Sequence, residues 1–247
     1  MRKLNIFNAY KIHDLEPERH VQSWFLVLLI AYSALMMGLS GLDLQTQLLT
    51  QAIVWLLNPT APLPEFDHRF YIYAIAYPLV LLAGFLLSTT YASTLIYNAN
   101  HKESKSALPQ VARRFFPLLI YALLIGGIHL LSIFLLEIPY FFFLSIFYYV
   151  PVEVVLEKRS LTEAMEQSYR QTKGRKLHIF ASIIAVTFLI RFLSQFLVST
   201  MAGSAWAGSL IMGFAFALRM LASGRLKGIL YLTQKGIELP RSGKDDL

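Results

Sequence analysis

The stretch that decides the fold is Ile138–Lys176, IPYFFFLSIFYYVPVEVVLEKRSLTEAMEQSYRQTKGRK. Its first part, Ile138–Val152, is an uncharged apolar run that is comfortable only in lipid or in a buried core. It then meets Pro151, takes on Glu153 and Glu157, and turns polar and basic. Ser160 and Glu163 have the spacing of a capping box, in which the Ser hydroxyl accepts the Glu amide and the Glu side chain returns to the Ser amide. The helix opened there, over 161–173, is expected to carry Leu161, Ala164, Met165 and Tyr169 on one face. Glu166 precedes Arg170 by one turn, the favourable order for a helical ion pair, and Gly174 is a natural stop. A membrane span over 138–156 thus delivers a short amphipathic helix onto a charged membrane face.

Working outward, the whole chain has the same character. Of its 247 residues, 56% are hydrophobic and only 15% charged, where a soluble domain carries about 25% charged residues. The absence of cysteine removes disulfides, thiolate metal sites and cysteine nucleophiles together. Residues 1–20 lack the pattern of a cleaved signal peptide, so the first span, 21–42, is expected to stay as an anchor. At about 1.5 Å per residue it is long enough for about 30 Å of hydrocarbon. Residues 43–57 mix Gln and Thr with Leu and Ile at helical spacing and end near Trp55; they predict an extracytoplasmic interfacial helix. Further spans are predicted over 70–97, 115–136, 177–199 and 203–222. The fold class is therefore all-α: a polytopic bundle of six transmembrane helices with short interfacial amphipathic helices.

Six crossings put both termini on one side, and charge says which. All but two of the 22 basic residues, Arg69 and Arg191, fall on the side that holds the termini. Cytoplasmic loops carry such an excess, so both ends are expected in the cytoplasm, with the chain in the cytoplasmic membrane. The net charge of +7 is then topology plus attraction to anionic headgroups, and nucleic acid is not needed to explain it.

The run VPVEVVLEKRSLTEAMEQSYRQTKGRKLHIF resembles the signature of a superfamily of bacterial six-span proteins. That superfamily includes the membrane domain of glycerophosphodiester phosphodiesterases and the multi-pass inner-membrane proteins of the YciC type. The positions that carry the likeness are Pro151, Glu157, Ala164, Ser168, Thr172 and Gly174. Two features depart from the pattern: Pro139-Tyr140 stands where Pro-Gly is commoner, and the 43–69 insert is this chain's own. The resemblance implies a six-span fold and no reaction, because hydrolysis in the phosphodiesterase fusions belongs to a separate soluble barrel.

Few residues invite chemistry. Arg191 is predicted about 21 Å into the fifth span, in its outer half, where an arginine costs about 3 kcal/mol. Thr187, Arg191, Ser194, Gln195 and Ser199 share a helical face that should look into the bundle, with His129 and Glu137 as neighbours. The cluster His129, Glu137, Arg191 and Gln195 is either a structural clasp or a substrate or proton-relay site. A second pair, Glu153 with Arg219, is expected at the cytoplasmic end. No hydrolase, zinc or nucleotide motif is present, so no catalytic residue, metal or cofactor is assigned. Ser209, Gly213 and Ala217 form a small-residue face for packing, within the bundle or against a protein partner or second copy. Two function classes follow. One is a non-catalytic scaffold, assembly partner or envelope-maintenance factor; the other is a permease with its polar site around Arg191.

Overall fold

A computed structural model describes residues 19–38, 54–55, 57–58, 60, 68–101, 107–132, 135, 137–201 and 204–236. Its helices are α1 (Arg19–Gly38), α2 (His68–His101), α3 (Leu108–Arg113), α4 (Phe115–Ser132), α5 (Ile138–Ile146), α6 (Val150–Leu156), α7 (Leu161–Thr172), α8 (Lys176–Thr200) and α9 (Ala205–Gln234). Among the described residues there is no strand. Six stretches are long and apolar enough to cross a bilayer: Val21–Gly38, Tyr71–Asn100, Phe115–Ser132, Ile138–Leu156, Lys176–Thr200 and Ala205–Gln234. Large apolar side chains such as Ile75, Leu123, Leu130 and Phe188 point out of the bundle, each exposed by about two thirds. Hydrocarbon accepts such a surface and water does not. The protein is an all-α, multi-pass membrane bundle.

The expected interfacial helix over 43–57 lies outside the described residues except for Val54, Trp55 and Leu57, which are helical and exposed.

The long helix α9 is the hub, packed along α1, α2 and α8. It approaches its neighbours closely because glycines line its contact faces. A Cβ on Gly213 would meet Ser33 and stand 2.8 Å from the Leu29 carbonyl oxygen; one on Gly224 would stand 2.6 Å from that of Ser88. Ser209, Gly213 and Ala217 are all buried, and Gly213 spends its small size on α1, inside the bundle. Tyr32 stacks on Phe216 across the same contact, with centroids 4.2 Å apart.

One boundary differs from that expected, and one span is interrupted. The sixth span does not end near 222: α9 runs to Gln234, and Leu226, Ile229, Leu230 and Leu232 are buried with Ala92, Ile96, Tyr149 and Val152. The cations at Arg219, Arg225 and Lys227 mimic a span end, but the apolar stripe between them continues and keeps the helix packed. The fourth span is also not one helix over 138–156. It breaks at Phe147–Tyr149 into α5 and α6.

Replacing Gly224 with Leu forces a side chain into the Ser88 backbone, while Gly126, with nothing within 4 Å of its missing Cβ, has room. Gly224→Leu is expected to destabilise by about 1–3 kcal/mol and to lower the thermal midpoint followed by circular dichroism in detergent. Gly126→Leu should leave that midpoint unchanged.

Candidate functional site at the Glu153 end of the bundle

Pro151 explains the break. In a continuous helix residue 151 would donate to the Phe147 carbonyl, but proline has no N–H and its ring crowds that oxygen. Several of the freed groups find partners. The Tyr121 hydroxyl donates to the Phe147 oxygen at 2.9 Å, and the Val150 amide also turns to it, at 3.2 Å. That leaves the Ile146 oxygen to α7, where Ser168 Oγ donates at 2.9 Å and Thr172 Oγ1 at 3.2 Å. The Tyr149 amide donates in turn to Ser168 Oγ at 3.2 Å. One hydroxyl thus serves as donor and acceptor across the gap, which is how an interrupted span survives in a medium without water.

This fixes the placement of α7. Its capping box forms, with the Glu163 amide 3.4 Å from Ser160 Oγ and the Ser160 amide 3.0 Å from the Glu163 carboxylate. Arg170 pairs with Glu166 at 2.6 Å on the exposed side. The fully buried residues are Ala164, Ser168 and Thr172; of the expected stripe, Leu161 and Met165 are partly buried against the same core and Tyr169 lies outside it. Tyr169 is exposed beneath the Lys176 ammonium, 4.0 Å from its ring centroid. The helix therefore docks on protein. Gly174 takes a left-handed conformation, φ +79°, and turns the chain into α8.

Beyond the break lies Glu153, with no exposed surface. Its Oε1 accepts from Gln171 Nε2 at 2.7 Å and from the Tyr231 hydroxyl at 3.1 Å. The Arg159 guanidinium approaches Oε2 at 3.2 Å as an ion pair without hydrogen-bond alignment. Tyr231 also donates to Glu157 at 3.3 Å, and Glu157 pairs with Lys235 at 2.9 Å. Gln234 closes the ring by donating to the Gln171 carbonyl at 2.8 Å. The network ties α6, α7 and α9 together and balances two carboxylates with two cations, as burial of charge requires. Arg114 joins the same end by donating to the Lys158 carbonyl at 3.1 Å.

The expected partner of Glu153 was Arg219, and that pairing does not occur. Arg219 lies three turns before Tyr231 on α9, over the Phe216 ring at 5.5 Å. Because α9 continues to Gln234, Tyr231 rather than Arg219 stands at the depth of Glu153. Lys227 is buried with its ammonium over Phe85 and Tyr148, at 5.8 and 5.5 Å.

The cluster expected around Arg191 is dispersed. Arg191 and Gln195 are exposed on the outside of α8, while Ser194 is buried and donates to the Arg191 carbonyl at 2.9 Å. Glu137, a left-handed residue at φ 59°, caps α5 and makes no ion pair among the described residues. His129 turns to Tyr140, ring centroids 4.6 Å apart, and its Nδ1 has no partner among the described residues. Arg191 and Gln195 point away from the bundle, while Ser194 turns to the side of α8 that Ile183, Val186 and Ile190 hold in the core. Among the described residues no group of acids, histidines or cysteines is placed to hold a metal.

Comparison with family models, with curated proteins and with solved structures returns no match.

Two outcomes follow from this geometry. Ser168→Ala strips the Tyr149 amide of its acceptor and should cost about 1–3 kcal/mol, read as a lowered unfolding midpoint with the protein still helical. Glu157 is held below the ordinary carboxylate range, first by the Lys235 ammonium bonded to it. Its folded pKa is depressed, so its stabilising effect is present above the unfolded value and fades as pH falls through the folded one. Both partners are about 40% exposed, at 40% and 39%, so the effect should stay within about 1 kcal/mol. Lys235→Met should flatten the acid limb of a plot of midpoint against pH.

Proposed function

We propose that this chain is a non-catalytic protein of a bacterial cytoplasmic membrane, a scaffold, assembly partner or envelope-maintenance factor, with both ends in the cytoplasm. The observation that carries this reading is the use made of the buried polar groups. Glu153, Ser168, Thr172, Gln171 and Tyr231 are engaged with one another and with backbone, and so join helices. A permease centred on Arg191 needs that arginine to line an internal path, and it stands on the outer face.

The charge distribution supports the orientation. Arg114, Lys158, Arg159, Arg175, Lys176 and Lys235 all belong to the helix ends and turns linked around Glu153. Anionic headgroups are the natural neighbours of that end, and a basic residue near such a surface contributes about 1 kcal/mol. The likeness to the six-span superfamily is consistent with the same assignment and brings no reaction with it.

Purification of the tagged full-length protein in mild detergent, with identification of bound proteins and small molecules, tests this reading. A protein partner in stoichiometric amount, with anionic phospholipid retained, is expected. A specifically retained solute without any protein partner would overturn it in favour of transport.

A further inference from the structure

Within that reading of the chain as an assembly partner, we infer that the outward face of α8 around Arg191 docks a membrane-spanning helix of another protein, one carrying a carboxylate at matching depth. Depth is the first ground. The helix has 25 residues, about 37 Å at about 1.5 Å per residue. Arg191 stands about 22 Å from Lys176 and about 14 Å from Thr200 on that scale. Its Cα is therefore only about 4 Å past the middle and roughly 11 Å short of the edge of a hydrocarbon core about 30 Å thick. An arginine cannot reach that edge comfortably, because the Cα–Cβ bond tilts towards the helix N-terminus, away from the nearer headgroups. On insertion scales arginine is among the costliest residues to leave unpaired at this depth.

Surroundings are the second ground. Phe188, Phe192 and Phe196 are exposed by 65%, 59% and 59% and flank Arg191 on the outer side. Gln195, exposed one turn further on, adds a polar group that can both donate and accept. An arginine set among aromatic rings is the composition of an interface anchor. A carboxylate is its best complement, accepting two parallel N–H bonds from the guanidinium.

Composition identifies the occupant as another protein. Among the described spans the one carboxylate is Glu153, which is fully buried and bonded to Gln171, Tyr231 and Arg159. The described spans of a second copy thus offer Arg191 no free acid.

The test places a photoreactive diazirine amino acid at Phe192 of the full chain in its native membrane, with Leu130 on the uncharged outer face of α4 as control. A protein adduct is expected at 192 and not at 130, mapping by peptide mass spectrometry to a membrane-spanning segment that contains Asp or Glu. Its yield should fall about tenfold, equivalent to about 1.4 kcal/mol, with Arg191→Leu, and equally when the partner's acid is changed to its amide. The second variant decides the matter if Arg191→Leu lowers the abundance of the chain. Adducts only with lipid, with a copy of the same chain or with a segment lacking an acid would overturn the inference. So would a yield indifferent to both changes. A stoichiometric partner that crosslinks elsewhere would leave the assembly reading standing and remove this surface from it.

Discussion

A helix that stops inside an apolar slab leaves carbonyl and amide groups without partners, and hydrocarbon supplies none. Here Pro151 imposes such a stop in the fourth span, and Ser168, Thr172 and Tyr121 answer it. Much of the Glu153 end follows from that requirement. Since Ser168 must sit within hydrogen-bond reach of Ile146 and Tyr149, α7 is drawn against the bundle, and its small Ala164 permits the approach. Gln171, on the neighbouring turn, is thereby delivered to Glu153. The extension of α9 completes the arrangement by bringing Tyr231 and Lys235 to the two carboxylates.

The chain treats its intramembrane polar groups in two ways. Around Glu153 they are buried, paired and spread over three helices, so that removal of one member leaves the others uncompensated. At Arg191 a charge stands on an outward face with no ion pair among the described residues. The first pattern ties three helices into one end of the bundle; the second leaves a guanidinium on the outer face of α8.

The six spans were legible because length and uninterrupted apolarity are sufficient signals in a membrane. The capping box at Ser160, the Glu166–Arg170 pair and the left-handed Gly174 were legible because each depends on neighbours within four residues. What escaped depends on distant contacts. Pro151 was visible, yet a proline near a span's end is compatible with a bend, a break or an undisturbed first turn; only the position of Ser168 decides for a break. Arg219 suggests a span's end because charges normally mark one, and only the packing of Leu226, Leu230 and Leu232 against the bundle shows that the helix continues. Helical spacing puts Arg191 and Gln195 on one side of the fifth span, but periodicity gives no direction, and only the packing of Ile183, Val186 and Ile190 orients them outward.

The break in the fourth span is the claim on which the rest turns, and backbone conformation in a bilayer tests it most directly. Solid-state NMR of the labelled protein in lipid should show non-helical shifts at Phe147–Tyr149, flanked by helical ones, and a correlation between the Tyr149 amide and the Ser168 side chain. Uninterrupted helical shifts from Ile146 through Val152, with no contact between Tyr149 and Ser168, would contradict it.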